Sequence, residues 1–336
     1  MTNPVLIEVT RGPLVESFHR GAVVVAGTTG VPLLAVGDVR RPVYPRSAIK
    51  LVQALPLIET GAADQFGLTD SEIALACGSH VGSPRHVAVA RGMLAKLDLD
   101  QTCLVCGSAE PQGAKARQIL AASGGVPTPF HHNCSGKHIG MLASALALHQ
   151  PVVGYADAAH PLQIRIQASL AELAGCELGA DVSGLDGCCV PTWAMPLDLL
   201  ARLFARIATG EGMSTERRAA FARILSACWS EPEFVAGLGR ADTTVMAALP
   251  NRIFLKMGAE GVYCGAIPEL GLGFALKIDD GTTRASAAAV MPLIERLLSE
   301  ARGLVQRSVL RTATGVETGS IRSSREYEKA LDGLRM

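Results

Sequence analysis

The sequence predicts an α+β protein in which strands from both ends of the chain form one antiparallel sheet and a long helical segment lies between them. Three observations predict this fold. β-Branched and apolar runs occupy roughly the first forty residues, Ala- and Leu-rich segments with helical spacing fill the middle, and strand-like runs return near residue 252. Because terminal strands need partners, we expect them to pair with each other, with the helices forming a second lobe.

The N-terminal strands are indicated by two kinds of pattern. Val5 to Val9 is β-branched, and two apolar runs, Gly21 to Gly27 and Val31 to Val36, flank the turn residues Thr28-Thr29-Gly30. Glycine-flanked threonines also act as nucleophiles in bacterial amidohydrolases. No acid–base partner lies nearby in the sequence, so the pattern favours a hairpin turn.

Helical spacing predicts eight helices in the middle of the chain, separated by Gly- and Pro-rich joints. They are Ala48 to Thr60, Ser71 to Ala76, Arg85 to Lys96, Gly113 to Ala122, Gly136 to His149, Leu162 to Ala174, Leu197 to Thr209 and Thr215 to Ala227. The later strands are Ile253 to Lys256, Val262 to Ile267 and Gly273 to Ile278, followed by a helix at Arg284 to Glu300. The predicted division is N-terminal strands at 1–46, a mainly helical segment at 47–250, C-terminal strands and a helix at 251–322, and a polar tail at 323–336.

The charge balance excludes several classes of partner. With 31 Lys and Arg against 31 Asp and Glu, the net charge is zero, and only 18% of residues are charged while 49% are hydrophobic. Nucleic acids and acidic membranes select a basic face, which no stretch provides. No apolar run approaches the roughly 20 residues of a membrane span, and the N-terminus lacks a signal-like apolar core. We expect a cytoplasmic protein. The low fraction of charged residues favours self-association, with a homodimer as the simplest form.

The chain has nine cysteines, an odd number that includes the adjacent pair Cys188 and Cys189. This usage is typical of a reducing compartment, where a buried cysteine behaves as a small apolar side chain. Cys103 and Cys106 have the spacing of a redox or zinc motif. No second pair of this kind follows, so we interpret them as core residues.

The first chemical motif is the Ser-x-x-Lys sequence of Ser47 and Lys50 at the predicted junction of strand and helix. Residues three apart on a helix share a face, so the Lys50 amine can lie over the Ser47 hydroxyl. A serine at a helix start also lies near backbone N–H groups that stabilise an oxyanion. The pattern indicates a serine nucleophile with a lysine base. The alternative is an ordinary helix cap followed by a solvated lysine.

A second motif, Lys256-Met257-Gly258, lies on a predicted strand that returns after the helices. In serine β-lactamases and penicillin-binding proteins a Ser-x-x-Lys helix faces a Lys-x-Gly strand, with another serine between them. Ser79, within Cys77-Gly78-Ser79-His80, is the candidate for that serine. Each motif is common alone, but their order within a strand–helix–strand layout is less so.

A third motif concentrates Cys and His residues. It runs from His131 to His138 and is followed about fifty residues later by Asp186-Gly187-Cys188-Cys189. Sulfur and nitrogen ligands suit zinc. The spacing is not that of a zinc finger, so buried cysteines and surface histidines remain the alternative.

Together these residues resemble the rhizobial-type L-asparaginases, whose fold is similar to that of serine β-lactamases and glutaminases and unrelated to the threonine-nucleophile asparaginases. The resemblance rests on an ordered set of stretches that spans residues 15 to 262. They are Val15-Glu16-Ser17 with His19-Arg20-Gly21, Arg46 to Lys50 with Gln53 to Pro56, Ser79-His80 with His86-Val87, Asn133 to His138, Asp186-Gly187-Cys188, and Lys256 to Val262.

The resemblance implies a site and a reaction. Ser47 with Lys50 and Ser79 with Lys256 would form two Ser–Lys pairs, and Ser47 would attack the side-chain amide of L-asparagine to give an aspartyl ester and ammonia. Substrate contacts are implied for Arg46, His80 and Asp186. A zinc ion (Zn²⁺) is implied at Cys134, Lys137 and Cys188, where we expect it to position substrate.

The chain departs from the family pattern at two places. The family usually has Gly-Cys-Gly where this chain has Gly187-Cys188-Cys189, and many relatives have a histidine near Ser108. The alternatives to an L-asparaginase are a glutaminase, a penicillin-recognising serine hydrolase and a catalytically silent zinc-binding relative. One methylene separates the two amide substrates, and it contributes only about 1–3 kcal/mol of discrimination.

Overall fold

The computed structural model describes residues 2–306 and 308–334. The strands are β1 (Val5–Arg11), β2 (Leu14–Ala26), β3 (Pro32–Val36), β4 (Pro42–Val43), β5 (Ser183–Leu185), β6 (Pro191–Trp193), β7 (Met195–Pro196), β8 (Phe254–Met257), β9 (Val262–Ile267), β10 (Leu272–Ile278), β11 (Val309–Arg311) and β12 (Glu317–Ser323). The helices are α1 (Lys50–Gln53), α2 (Leu55–Glu59), α3 (Ala62–Gln65), α4 (Asp70–Ala76), α5 (Pro84–Ala95), α6 (Ala114–Ala122), α7 (Ser135–Ala147), α8 (Pro161–Ala174), α9 (Leu197–Thr209), α10 (Thr215–Ser230), α11 (Pro232–Val235), α12 (Ala241–Ala248), α13 (Thr283–Leu297) and α14 (Arg325–Leu331).

The chain divides into two compact units. One consists of Met1–Ala48, Met195–Glu211 and Leu255–Met336, and the other of Ile49–Ala194 and Gly212–Phe254. We refer to them as the sheet unit and the helical unit. The sheet unit is built from three separate chain segments, whereas the helical unit is built from two.

The sheet is formed by strands from both ends of the chain, which confirms the predicted α+β class. Its order is β11-β12-β1-β2-β10-β9-β8, with β3 also paired to β2. Residues 14–20 of β2 pair antiparallel with β1, and residues 21–26 pair antiparallel with β10. The run Ala22 to Ala26 is almost completely buried. Continuous burial explains why this part of β2 is apolar throughout and does not alternate.

Helix α9 packs against this sheet, although the sequence analysis places it in the helical segment at 47–250. Its contacts are with β2, β9 and β10. The approach is closest at Gly273 of β10, where a Cβ atom would overlap the backbone of Ala201 and Ala205. The apolar spacing of α9 therefore indicates a helix correctly but does not say which surface it covers.

The predicted helix from Ala48 to Thr60 is interrupted. A 3₁₀ turn at Arg46–Ile49 leads into α1, and a separate helix, α2, begins after Ala54. Pro56 has no N–H to donate to a preceding turn and fits best near a helix start, where it occurs in α2. Helix α7 of the helical unit is deeply enclosed, because every residue from Ser135 to Ala145 is buried.

Part of the polar tail predicted at 323–336 forms a helix, and residues 335–336 of that prediction lie outside the described residues. Helix α14 begins after Ser324, whose hydroxyl accepts a hydrogen bond from Tyr327 N at 3.0 Å. Tyr327 and Leu331 are buried, and the Tyr327 hydroxyl donates to Ala289 O at 3.0 Å. Because only two side chains of α14 are buried, its sequence has too few apolar positions to show a helical period.

Across the described ranges, no helix combines the length and apolar character that a membrane crossing requires.

The close approach at Gly273 gives a test of the sheet unit. We expect Gly273→Ala to lower the free energy of unfolding by about 1–3 kcal/mol, because the added methyl group overlaps α9. Gly27→Ala is the matched control, since its Cβ would meet its nearest neighbour, Gly271 O, at 4.0 Å. Urea unfolding followed by circular dichroism measures both. Equal changes in the two variants would contradict the packing described for α9.

Candidate active site

The segment that carries Ser79 is held tightly by its own backbone. A Cβ atom on Gly78 would overlap Phe234 O, so the approach of these two chain segments requires glycine. Ser79 N donates to Val235 O at 2.8 Å. Ser79 is itself 8% exposed. Its hydroxyl therefore occupies a fixed and nearly solvent-free position.

Lys50, the first residue of α1, is fully buried beside this segment. Its ammonium donates to Ser79 Oγ at 3.0 Å, to Gly78 O, and to Asn133 O at 3.5 Å. An ammonium group has three donors, so these three acceptors match its capacity. Such matching is what allows a charged lysine to be buried. The resemblance implies that Lys50 pairs with Ser47. The structure shows in addition a direct hydrogen bond from Lys50 to Ser79.

His80 links the Ser79 segment to the start of α7. Its Nδ1 accepts from Gly82 N at 3.1 Å, which leaves Nε2 to donate to Ser135 Oγ at 2.9 Å. Complete burial, with smaller contributions from His86 and Lys50, lowers the His80 pKa well below its usual value. His80 is therefore a neutral imidazole with both nitrogens used inside the protein. This arrangement fixes the orientation of the ring, and the substrate contact expected from the sequence stays a prediction.

The three residues expected to bind zinc lie together in the helical unit. Cys134 precedes α7 and Lys137 lies in its first turn, and both are buried with Cys188. The Lys137 ammonium donates to Cys188 Sγ at 2.9 Å, and the Cys134 and Cys188 side chains are hydrogen-bonded.

Electrostatics favour one thiolate in this cluster. The hydrogen bond from Cys188, with the nearby Lys50 and Lys137, lowers the pKa of Cys134 against the opposing effect of burial. The pKa of Cys188 is raised, first by its bond to Cys134 and then by burial. Burial disfavours the Lys137 ammonium, but the neighbouring cysteines outweigh it and the Lys137 pKa is raised. Proton loss in this cluster is therefore favoured at Cys134 over Cys188, beside the buried Lys137.

Asp186 and Cys189 belong to the turn between β5 and β6. Asp186 Oδ1 accepts from Gly187 N at 2.7 Å, and Cys189 N donates to Asp186 O at 2.9 Å. Cys189 has a φ of 68°, a left-handed conformation that favours glycine. Unlike Cys188, it is exposed. The turn therefore directs the two adjacent thiols into different surroundings.

Arg46, Ser47 and Lys256 belong to the sheet unit. Arg46 has a φ of 53°, a strained value for a residue with a side chain, and Ser47 is half-buried after it. Lys256 is fully buried on β8, where its ammonium donates to Met257 O at 2.9 Å. Gly258 packs against the segment before Ser47, because its Cβ would lie 2.5 Å from Pro45 O. The two sequence motifs of this unit therefore meet through their backbones.

The sequence did not reveal every residue around Lys50. The carbonyls of Gly78 and Asn133 are its acceptors, and backbone groups leave no residue-type signal. The glycine between Cys77 and Ser79 was the one clue to a tight backbone approach. Within residues 2–306 and 308–334, no three or more His, Cys, Asp or Glu side chains are grouped to hold a metal. The Cys134, Lys137 and Cys188 cluster has only two side chains of these types, because its third member is a lysine.

The L-asparaginase II family model matches residues 7–323. This match places the chain in a class of amidohydrolases. The chain belongs to the L-asparaginase II family. No curated protein matches it significantly.

Several solved structures align with most of the chain at low identity. Mglu in its native form is 16% identical, with 87% of this chain and 66% of that chain covered and a TM-score of 0.44. A β-lactamase from Mycobacterium bovis is 14% identical, with 84% and 94% covered and a TM-score of 0.42. D-alanine carboxypeptidase AmpC from Burkholderia cenocepacia is 12% identical, with 80% and 90% covered and a TM-score of 0.39. The chain thus spans about two thirds of the length of Mglu.

The buried histidines predict a pH dependence of stability. His80 and His86 stack with ring centroids 4.9 Å apart, and burial is the largest cause of the lowered pKa of each. In the unfolded chain a histidine titrates near about 6.5, so the unfolded state binds more protons below that pH. The stability from neutral histidines is therefore present above about pH 6.5 and is lost as the pH falls below it.

We expect the free energy of unfolding to decrease between pH 7.5 and pH 5.5, and His86→Gln to weaken this dependence. Urea titrations at both pH values measure the effect. A His86→Gln protein with the same pH dependence as the parent chain would contradict the contribution assigned to His86.

Proposed function

We propose that this chain is an L-asparaginase that hydrolyses L-asparagine to L-aspartate and ammonia through a serine ester. The observation that carries the proposal is the fully buried Lys50 ammonium bonded to the Ser79 hydroxyl, in a chain of the L-asparaginase II family. A lysine held against a serine is the arrangement that activates a hydroxyl or relays its proton. The serine β-lactamase-like assignment of the fold is part of this proposal.

In the proposed acylation step, Ser47 Oγ attacks the side-chain amide carbon of asparagine. In the reacting form the Lys50 ammonium has already given up one of its three protons, so that the neutral amine can accept the Ser47 proton. The ammonium that results gives a proton to Ser79 Oγ, while the Ser79 hydroxyl gives its own to the leaving nitrogen. The carbon–nitrogen bond breaks, ammonia leaves and an aspartyl ester remains. The Lys50–Ser79 distance of 3.0 Å is suitable for this relay.

Deacylation uses the same groups in reverse. A water molecule loses a proton to Lys50 as it attacks the ester carbon, and Ser47 regains a proton when the ester bond breaks. The buried Lys256 ammonium is assigned to Ser79 as a second pair, where its positive charge would favour proton loss from that hydroxyl. Arg46 and Asp186 carry the charges that complement the carboxylate and ammonium groups of asparagine. His80 is assigned a positioning role.

The buried cluster fits a zinc ion. Cys134 and Cys188 supply sulfur and Lys137 supplies nitrogen once deprotonated, which is a donor set suited to Zn²⁺. When bound, zinc would supply positive charge that orients the substrate. Generation of the nucleophile is left to the Ser–Lys pairs.

Cytoplasmic location and homodimer formation stay predictions from the sequence. All nine cysteines are free thiols, which fits a reducing compartment.

The catalytic assignment is tested by substitution of the two serines. We expect Ser47→Ala to lower kcat for asparagine at least about 10³-fold, because the ester cannot form, and Ser79→Ala to lower kcat as well. Ser299→Ala is the control, since Ser299 is exposed. Ammonia release from asparagine and glutamine measures all variants. Retained turnover in Ser47→Ala would overturn the role of Ser47 as nucleophile. Faster hydrolysis of glutamine than of asparagine by the parent chain would indicate a glutaminase. Hydrolysis of nitrocefin would indicate a penicillin-recognising enzyme.

The zinc assignment is tested on the adjacent cysteines. We expect Cys188→Ser to lose bound zinc and Cys189→Gly to retain it, because Cys188 contacts Lys137 whereas Cys189 is exposed. Metal content by mass spectrometry measures this without reference to turnover. Stripping the metal should raise KM more than it lowers kcat. Zinc loss in Cys189→Gly alone would show that the wrong thiol has been assigned.

A further inference from the structure

Helix α6 leaves much of its apolar face uncovered. Ala116, Ile119 and Leu120 have the three- and four-residue spacing of one helix face. Only Ala116 is buried, and Ile119 remains 42% exposed. A short helix with a single buried residue gains little from packing. Its apolar face is therefore available to a ligand.

This face forms one wall of a groove of about 450 Å³. Pro84, Val87 and Ala88 from α5 also line it. All of these residues belong to the helical unit. Grooves of this volume with apolar walls are typical of small-molecule sites.

One part of the groove lining is cationic. Arg91 lines it, and its guanidinium lies 5.3 Å from the centre of the Phe130 ring. In the described part of the chain no carboxylate forms an ion pair with Arg91, whereas its neighbour Arg85 is paired with Glu233. None of the ten lining residues is acidic. The arginine is thus held against an aromatic ring with its hydrogen-bond donors open to an anion.

His131 adds a second donor to the lining. Its Nδ1 accepts from Thr128 N at 3.0 Å, which fixes the proton of the neutral ring on Nε2. Burial, with a smaller contribution from Arg91, lowers the His131 pKa. Near neutral pH the positive charge of the groove therefore comes from Arg91, while His131 offers an uncharged N–H.

We propose that this groove binds a small amphipathic monocarboxylate, with its carboxylate on Arg91 and His131 and its apolar chain along Val87, Ile119 and Leu120. The charge selects an anion, and the apolar walls select a hydrocarbon body over an inorganic ion. The groove is independent of the proposed reaction. Its lining residue Gly82 is three residues after Ser79 and donates to His80 Nδ1, so an occupant would contact a segment that continues from the catalytic candidate.

The test compares three probes that share one hydrocarbon chain. Octanoate, octan-1-ol and octylammonium are titrated into the full chain by calorimetry below the concentrations at which they aggregate. We expect octanoate to bind at least about tenfold more tightly than octan-1-ol, because a charge-assisted bond to arginine is added, and octylammonium to bind least. Equal affinity for all three probes would overturn the proposal.

Two variants separate the charge from the walls. Arg91→Gln should remove the preference for octanoate over octan-1-ol, and Ile119→Gln should weaken both. Arg218→Gln is the matched control, because Arg218 is also an exposed helical arginine. Unchanged octanoate binding in Arg91→Gln would overturn the site. Loss of self-association in Ile119→Gln without any octanoate binding in the parent chain would also overturn it, since the groove would then be an interface between copies.

Discussion

The burial of the Lys50 ammonium constrains the architecture around the candidate site more than any other interaction. A charge removed from water is tolerated only when all its donors have acceptors, and Lys50 finds them in Ser79, Gly78 and Asn133. Two of these acceptors are carbonyls from separate chain segments. The backbone of the helical unit must therefore bring three segments together before the serine can have its observed surroundings.

The same principle recurs at the second cluster of the unit. Lys137 is a buried cation as well, but its neighbours are the thiols Cys134 and Cys188, which raise its pKa despite burial. Soft sulfur atoms around Lys137 are suited to a metal. Oxygen acceptors around Lys50 are suited to proton transfer. The helical unit thus buries two lysines in different surroundings, and the difference lies in their acceptors.

The family resemblance implied the grouping of Cys134, Lys137 and Cys188, whereas the sequence itself predicted the sheet of terminal strands and most helices. It could do so because apolar periodicity and residue type are local signals. It did not predict the Lys50–Ser79 hydrogen bond, which depends on carbonyl groups and on the overlap that makes Gly78 obligatory. The sequence also did not predict that α9 packs against the sheet, which the close approach at Gly273 shows. It did not predict α14 either, because only two side chains of that helix are buried.

The division of β2 between two partners affects how the chain can fold during synthesis. Its first half pairs with β1, which is adjacent in sequence, whereas its second half pairs with β10 at residues 272–278. The apolar run Ala22 to Ala26 thus leaves the ribosome long before β10 does, while the whole helical unit is still to be made. Pairing across such a separation is slow, and an unpaired apolar strand is prone to aggregate. Expression yield should therefore depend on chaperones that shield β2 until residue 278 has emerged.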